Sequence, residues 1–332
     1  MSHYITIAQH KKILEQRFEI LKLIREFFWQ KNFIEVDTPL LIAVPGQEPN
    51  IRAMAVSLHD EKNNIFSVYL HTSPEYSMKK MLSAGFENIF FLGSCFRDYE
   101  SFTGLHNPEF SMLEFYRVNT DMFGIMKDVE KLYNFLYTNI NNEHKDLSVH
   151  IERIHMRDVW EEYVQVNLDE YLTVDAMRKL CRTCGFVVDN NERYEELFYR
   201  IFLRDIEPCL KKRGMVFLHH YPAQMASLSE LSADDPRYAD RFECYIDGVE
   251  LANGFTELCN SEEQLHRLEY EQTQRKKSGY DVYPIDTDFI EAVSVLPVCS
   301  GVALGVDRLI MSLLGCESID DVRILSARLL FQ

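Results

Sequence analysis

Long apolar segments are missing from this sequence: no window reaches the roughly 18 consecutive apolar residues that a membrane-spanning helix needs. Residues 1–12 also lack an apolar stretch of signal-peptide length. Internal repeats, low-complexity segments and linkers rich in proline, glycine or serine are absent as well. These absences predict a cytoplasmic protein that does not enter a membrane and folds as one domain over residues 1–332.

Basic residues are scarce, since 35 Lys and Arg stand against 52 Asp and Glu, which gives a formal net charge of -17. Binding to a nucleic acid normally depends on basic side chains that neutralise phosphates. The average surface therefore disfavours broad tRNA binding. The one obvious basic run near the carboxyl end, residues 275–277, is more typical of a solvated helix face.

Eight cysteines in a chain of 332 residues do not form the pattern of a small secreted scaffold, and reduced thiols are predicted. Cys181 and Cys184 have a zinc-like spacing but no second pair, so a structural helix end is favoured. His219 and His220 lie on a predicted strand, where neighbouring side chains face opposite sides. A paired metal site is not expected there.

Hydrophobic periodicity predicts an amphipathic helix over residues 11–31. Further helices are predicted to open at Ser73-Pro74-Glu75, to cover 121–140 and 307–314, and to recur more weakly over 150–212. Strand patterns cover residues 33–39, 68–72, 89–96, 108–116, 215–220, 242–246, 249–252 and 302–304. An antiparallel sheet wrapped by helices in one domain, of the α/β (α+β) class, is the economical arrangement.

Three segments carry candidate chemistry. The strands 89–96 and 108–116 bracket a polar loop and suggest a long hairpin. Arg97, at its start, offers a planar charged group suited to phosphate oxygens, and Phe110 offers a ring on which a base can stack. Taken singly, Arg97 is equally well a salt-bridging surface arginine and Phe110 a core residue.

The second segment, residues 250–257, carries a carboxylate at each end of an Asn-Gly turn signal. Glu250 and Glu257 supply the hard oxygen ligands that Mg²⁺ prefers together with substrate phosphates. The alternative is a hairpin with solvated acids. In the third segment, residues 300–308, glycines in an apolar run allow close approach of a ligand to the backbone before Arg308. Their spacing is not that of a dinucleotide fingerprint.

In order along the chain, these segments resemble the signature motifs of class II aminoacyl-tRNA synthetases, closest to the lysyl branch. Thr38 and Pro39 resemble the end of motif 1, residues 96–110 resemble motif 2, and residues 301–308 resemble motif 3. The most specific matches are residues 72–76, 106–110 and 250–255. No anticodon-binding OB domain is expected before motif 1, and Ala303 stands where the synthetases usually have glycine. Both features resemble the family that attaches (R)-β-lysine to elongation factor P.

The resemblance implies a homodimer with a six- to seven-stranded antiparallel sheet, and ATP and Mg²⁺ as cofactors. Arg97 and Arg308 are implied as catalytic, with Phe110 and Arg308 enclosing the adenine. The implied ATP site comprises Arg97, Asp98, Tyr99, Glu100, Asn107, Phe110, Glu250, Leu251, Gly305 and Arg308. The implied substrate site comprises Ser73, Pro74, Glu75, Tyr116, Glu257 and Ala303, with Glu114 as an addition and Glu250 and Glu257 at the metal.

Motif 2 departs from the family pattern, because one extra residue precedes His106. Either Glu100 reaches ATP from a bulged loop or Tyr99 replaces it. The implied activity is ATP-dependent activation of β-lysine and its transfer to a lysine of elongation factor P, with no tRNA acceptor. Two alternatives stay open: a lysine-activating enzyme with another acceptor, either tRNA or a small molecule, and a catalytically inactive regulatory paralogue.

Overall fold

A central sheet of eight strands, in the order β1-β5-β6-β11-β10-β9-β8-β7, organises the chain. The structure is a computed structural model that describes residues 2–102, 104–141 and 151–331. The strands of this sheet are β1 Ile34–Glu35, β5 Asn88–Phe96, β6 Glu109–Val118, β7 Ile151–His155, β8 Met215–Pro222, β9 Tyr238–Ile246, β10 Val249–Thr256 and β11 Cys299–Gly305. A smaller three-stranded sheet contains β2 Leu41–Ile42, β3 Ala55–His59 and β4 Ile65–Leu70.

The α-helices are α1 His3–Gln9, α2 Lys11–Gln30, α3 Glu75–Ser83, α4 Met122–Asn141, α5 Met156–Val164, α6 Val174–Thr183, α7 Tyr194–Ile201, α8 Glu207–Leu210, α9 Ser261–Lys277, α10 Thr287–Val293, α11 Val306–Leu314, α12 Ile319–Val322 and α13 Ala327–Phe331. Short 3-10 turns occupy Leu168–Tyr171 and Ala223–Met225, and a π-helical turn occupies Phe202–Ile206. Among the described residues, no helix combines the length and apolarity that crossing a bilayer requires.

The antiparallel part of the sheet has six strands, from β5 through β6, β11, β10 and β9 to β8. This part confirms the expected six- to seven-stranded antiparallel sheet, and one unpredicted strand extends it at each edge, where β1 pairs in parallel with β5 and β7 in parallel with β8. Parallel partners are distant in sequence, so no turn signal announces their pairing. The strand β7 lies near the start of the stretch 150–212, for which only helices were predicted. Residue 150, the first of that stretch, lies outside the described residues.

The sheet separates two packed layers. On one face, α2 and α4 cover an aromatic cluster in which the rings of Phe28 and Phe90 stack at 4.8 Å between centroids. On the other face, Met78 and Leu82 of α3 pack near Tyr116. The helices between β7 and β8 form a separate cluster with Trp160 at its centre. The second face, beside α3, is the one that carries the polar residues of the site.

Two local predictions were wrong. Asn253 and Gly254 lie inside β10 and form no turn, since the chain reverses at Asp247 and Gly248, both with positive φ. His219 and His220 do not face opposite sides, because a bulge with φ of 59° at His220 brings the two Nδ1 atoms to 2.5 Å. The predicted helix end at Cys184 is confirmed, since this residue caps α6. In both errors, sheet pairing outweighed a local pattern.

Candidate active site

A cavity of about 510 Å³ lies on the sheet face opposite α2 and α4. Side chains of a strand alternate between the two faces, so Glu114 and Tyr116 of β6 point into this cavity while Phe115 lies in the core. Of the expected site residues, the cavity is lined by Ser73, Glu75, Arg97, Glu114, Tyr116, Glu257 and Ala303. The substrate half of the expected site is therefore assembled in one place.

A buried lysine links two carboxylates on this face. Lys79, on α3 and only 1% exposed, lies 2.6 Å from Oε1 of Glu75 and 2.5 Å from Oε2 of Glu257. Glu75 and Lys79 are four residues apart and share one side of the helix. Burial alone would lower the pKa of Lys79, but Glu257 and Glu75 together raise it. Lys79 thus remains charged between them.

Glu114 is held by two hydroxyl groups. Ser73 Oγ donates to Oε2 of Glu114 at 2.7 Å, and the Tyr116 hydroxyl donates to Oε1 at 2.7 Å. Ser73 Oγ also accepts from the backbone N–H of Glu75 at 3.0 Å, and Pro74 leads into α3 at this point. This network fixes the carboxylate of Glu114, which is 1% exposed.

The deep end of the cavity carries an excess of negative charge. Glu75, Glu114 and Glu257 contribute three carboxylates against the single ammonium of Lys79, which leaves two negative charges when all are ionised. Burial raises the pKa of Glu114 to about 8, with Glu75 as the next cause. Burial likewise raises the pKa of Glu257 to about 8 although Lys79 opposes this. A ligand that brings two positive charges satisfies these groups.

Two residues of β11 shape the floor of the cavity. A methyl group at Gly301 would lie 2.8 Å from Oε1 of Glu257 and closer still to the ring of Tyr116, so only glycine leaves room for both. Ala303 pairs directly across the sheet with Glu114 and on its other side with Asn253. The methyl group of Ala303 therefore stands beside the carboxylate that Ser73 and Tyr116 hold.

Arg97 begins the loop that joins β5 to β6, and the predicted hairpin is confirmed by continuous pairing from Asn88 with Arg117 to Phe96 with Glu109. The backbone N–H of Arg97 donates to the carbonyl of Pro108 at 2.8 Å, and its guanidinium lies 5.0 Å from the ring centroid of Phe110. Its Nε is buried without a hydrogen-bond partner among the described residues. A cation so placed is suited to bind an oxyanion.

The extra residue of the hairpin loop is taken up at Tyr99. This residue has φ of 59°, is 79% exposed, and stacks on the guanidinium of Arg52 at 4.1 Å. Glu100 instead turns inward and accepts a hydrogen bond from His106 Nδ1 at 3.1 Å. This bond, and after it the charges of Arg97 and Arg308, lowers the pKa of Glu100 against the effect of burial. Glu100 is therefore an acidic group of this loop within electrostatic range of Arg97 and Arg308.

Arg308, at the start of α11, contacts the first residues of β10. Its Nη1 donates to the carbonyl oxygen of Glu250 at 2.7 Å, and its Nε donates to the carbonyl of Leu105 at 3.3 Å. The Glu250 carboxylate is 3.7 Å from the same guanidinium. These contacts place Arg308 beside the motif 2 loop.

The other residues expected at the ATP site differ in their surroundings. Asn107 donates to the carbonyl of Glu109 at 2.6 Å and accepts from the backbone N–H of Ala327 at 2.7 Å, so both ends of its amide are occupied. The Leu251 side chain lies in the core, and Asp98 is exposed. A methyl group at Gly305 would meet nothing closer than 3.7 Å.

The expected metal pair is not brought together. Glu250 and Glu257 are seven residues apart along an extended strand, roughly 23 Å at about 3.3 Å per residue. Within residues 2–102, 104–141 and 151–331, no group of three or more His, Cys, Asp or Glu side chains is arranged to hold a metal ion. Glu257, paired with Lys79, does not fit a shared site. Glu250 fits a Mg²⁺ that is otherwise held by phosphates and water.

Sequence reasoning missed Lys79 and Glu48. Lys79 carries a detectable signal, because it follows Glu75 by four residues on a helix whose other residues on that side are apolar. Glu48 belongs to an irregular loop, and no periodic pattern places it against the cavity that it lines.

Comparison with known proteins identifies the family to which the chain belongs. The chain matches the family model described as tRNA synthetases class II (D, K and N) over residues 3–328, and it belongs to this family. Similar curated proteins share the name elongation factor P--(R)-beta-lysine ligase. The one from Hamiltonella defensa is 35% identical and that from Proteus mirabilis 37%, each over 311 residues and 93% of both chains. The one from Haemophilus influenzae is 34% identical over 327 residues and 97% of both chains. The chain therefore belongs to the elongation factor P (R)-β-lysine ligase family.

Proposed function

We propose that this protein uses ATP to activate (R)-β-lysine as an acyl-adenylate and transfers the β-lysyl group to a lysine ε-amine of elongation factor P. The observation that carries the substrate class is the charge of the cavity. Lys79 contacts Glu75 and Glu257, and Glu114 lies in the same cavity, so that with all three carboxylates ionised two negative charges are left to match the two ammonium groups of a diamino acid. Recognition of elongation factor P is carried over from the names of the relatives.

The first chemical step is attack of the substrate carboxylate on the α-phosphorus of ATP, which expels pyrophosphate. This reaction depends on in-line positioning and on stabilising phosphate charge. Arg97 lines the cavity, and its buried Nε has no hydrogen-bond partner in the described part of the chain, which supports a role at the α-phosphate. Phe110 and Arg308 are proposed to enclose the adenine. Mg²⁺, held by Glu250 and the phosphates, would neutralise part of the phosphate charge.

Two further observations support the proposed homodimer and the proposed protein acceptor. Exposed apolar side chains of the motif 1 region, which include Phe18, Trp29, Ile34 and Leu41, support a homodimer formed there. The net charge of -17 supports a protein acceptor over tRNA. One catalytic domain acting in the cytoplasm completes the proposal.

The test is ATP–pyrophosphate exchange with (R)-β-lysine, α-lysine and norleucine, which keeps the lysine chain but lacks the terminal ammonium. Exchange with β-lysine and none with norleucine is expected, because norleucine brings one ammonium group and would leave one of the two excess negative charges of the cavity unmatched. Exchange with norleucine at the β-lysine rate would contradict the assignment. A complete lack of exchange would support the inactive paralogue.

A further inference from the structure

Glu48 is a carboxylate that neither the substrate site nor the ATP site described above uses. It lies in the loop between β2 and β3, where it lines the 510 Å³ cavity and also a neighbouring cavity of about 340 Å³. The two cavities share Glu48, Thr72, Ser73 and Glu75 as a common wall. Glu48 therefore stands at the junction between the substrate site and a second approach to it.

The backbone of this loop is firmly held. Gln47 donates to the carbonyl of Pro284 at 2.8 Å, and Arg275 donates to the carbonyl of Glu48 at 2.7 Å. The carboxylate of Glu48 is not held in this way, because its Oε2 is excluded from solvent and has no hydrogen-bond partner among the described residues. A buried carboxylate oxygen without a donor is costly. The surroundings fix the position of this group and leave its oxygen free for a donor that arrives with a ligand.

The charges around Glu48 locate it relative to the reaction. Glu75, of the substrate site, and Arg97, proposed at the α-phosphate, are both close enough to influence it electrostatically, as is Arg275. The carbonyl carbon of an acyl-adenylate lies between the amino-acid site and the α-phosphate. Glu48 is therefore within electrostatic range of both groups between which that carbon would lie.

We propose that Glu48 is the general base of the transfer step and removes a proton from the acceptor ε-ammonium. This inference rests on the proposed function. An ordinary lysine has a pKa of about 10.4, so that only about 0.04% is neutral at pH 7. A general base within reach contributes typically about 10²- to 10⁴-fold to such a step. The unpartnered oxygen supplies the acceptor atom that the step requires.

The transfer step forms one C–N bond and breaks one C–O bond. One proton passes from the acceptor ammonium to Glu48, and the nitrogen lone pair forms a C–N bond with the adenylate carbonyl carbon. The C–O bond to the phosphate breaks, and AMP leaves with that electron pair. The second proton of the nitrogen goes to the departing phosphate. Glu48 then returns its proton to solvent.

The charged groups around Glu48 favour its role as a base. Burial, and after it the charge of Glu75, raises the pKa of Glu48, while a hydrogen bond from its own backbone N–H and, after that, the charges of Arg97 and Arg275 oppose the rise. Glu271 and Tyr76 also face this group, and burial and Glu48 together raise the pKa of Glu271 to about 8. A raised pKa makes Glu48 a stronger base, one better matched to an ammonium group.

The experiment separates the two half-reactions in Glu48→Gln, which keeps the shape of the side chain. Adenylate formation is followed by ATP–pyrophosphate exchange, and transfer to elongation factor P is followed in a single turnover of preformed adenylate. The expected result is exchange near the wild-type rate and transfer slower by about 10²-fold or more at pH 7. Transfer to hydroxylamine, an amine already neutral at this pH, should be unchanged. The matched control is Glu195→Gln, another cavity-lining carboxylate, which lies 3.5 Å from Arg193.

A second variant moves the carboxylate without removing it. A methyl group at Gly46 would lie 3.0 Å from Cδ of Glu48 and closer to Oε2, so Gly46→Ala displaces the carboxylate and should also slow transfer selectively. Wild-type transfer rates in Glu48→Gln, or equal losses in exchange, protein transfer and hydroxylamine transfer, would overturn the role of Glu48 as base. If the wild type itself fails to modify elongation factor P while exchange is normal, the acceptor is wrong and the proposed function fails instead.

Discussion

Replacing Lys79 with methionine tests the charge arrangement of the cavity. The Lys79 side chain is 1% exposed and lies 2.6 Å from Glu75 and 2.5 Å from Glu257. Removing one partner of a buried ion pair typically costs about 3–5 kcal/mol, because the other charge is left buried and unpaired. We expect the free energy of unfolding at pH 8 to fall by about this amount.

The loss should depend on pH. The pKa of Glu257 in the folded protein is already above its ordinary value, and removing Lys79 takes away a group that lowers it. The folded variant therefore binds more protons than the unfolded chain above the unfolded pKa of about 4.3. The free energy of unfolding of the variant then falls as pH rises from the unfolded pKa towards the raised folded pKa of Glu257. The variant should lie closer to the wild type at pH 6 than at pH 8.5.

Urea unfolding followed by tryptophan fluorescence measures this effect, because Trp160 is fully buried and becomes exposed, whereas Trp29 is already exposed in the folded protein. The matched control is Lys80→Met on the same helix, because Lys80 makes a partly exposed ion pair with Asp286 that is worth about 0–1 kcal/mol. The reasoning is refuted if Lys79→Met and Lys80→Met lose the same stability at pH 8.

Four further predictions concern activity. Arg97→Ala should abolish ATP–pyrophosphate exchange and leave the circular dichroism spectrum intact, whereas undiminished exchange would remove Arg97 from the mechanism. Acylation of lysine tRNA should be negligible beside that of elongation factor P, and comparable rates would contradict this. Ala303→Gly should raise the relative kcat/KM for α-lysine over β-lysine by roughly 10- to 200-fold, the effect of one methyl-sized change, and an unchanged ratio would mean that Ala303 only packs the strand. Because Glu114 and Glu257 have pKa values raised to about 8, substrate binding should release protons at pH 7, and KM should fall between pH 6 and pH 8. Calorimetry in two buffers of different ionisation enthalpy measures this release, and a binding enthalpy that is the same in both buffers would contradict the prediction.

The parts of the fold that follow from local periodicity were predictable. The helix α2 and the hairpin of β5 and β6 match their predicted bounds closely, because apolar spacing identifies both. The edge strands β1 and β7 were not predicted as parallel partners, since β1 has two residues and β7 pairs with a strand about 60 residues away. Asn253 and Gly254 suggested a turn, but the glycine is needed here for close packing of β10 against β11. A methyl group at Gly254 would lie 2.6 Å from the carbonyl oxygen of Gly301.

The candidate site was predictable where motifs carry it. The residues Ser73, Glu75, Tyr116 and Glu257 meet in one cavity, as the family resemblance implied. The motif could not decide between Tyr99 and Glu100, because that depends on how the loop takes up its extra residue. It also could not separate Glu257 from Glu250, since the distance between them follows from β10 continuing as a strand. Loop residues such as Glu48 enter the site only through tertiary packing.

The most direct test of the central claim is the intact mass of elongation factor P after incubation with this protein, ATP and (R)-β-lysine. The account predicts a gain of one lysyl group on a single lysine side chain, dependent on ATP and lost in Arg97→Ala. An unmodified mass in the presence of normal β-lysine-dependent pyrophosphate exchange would contradict the account.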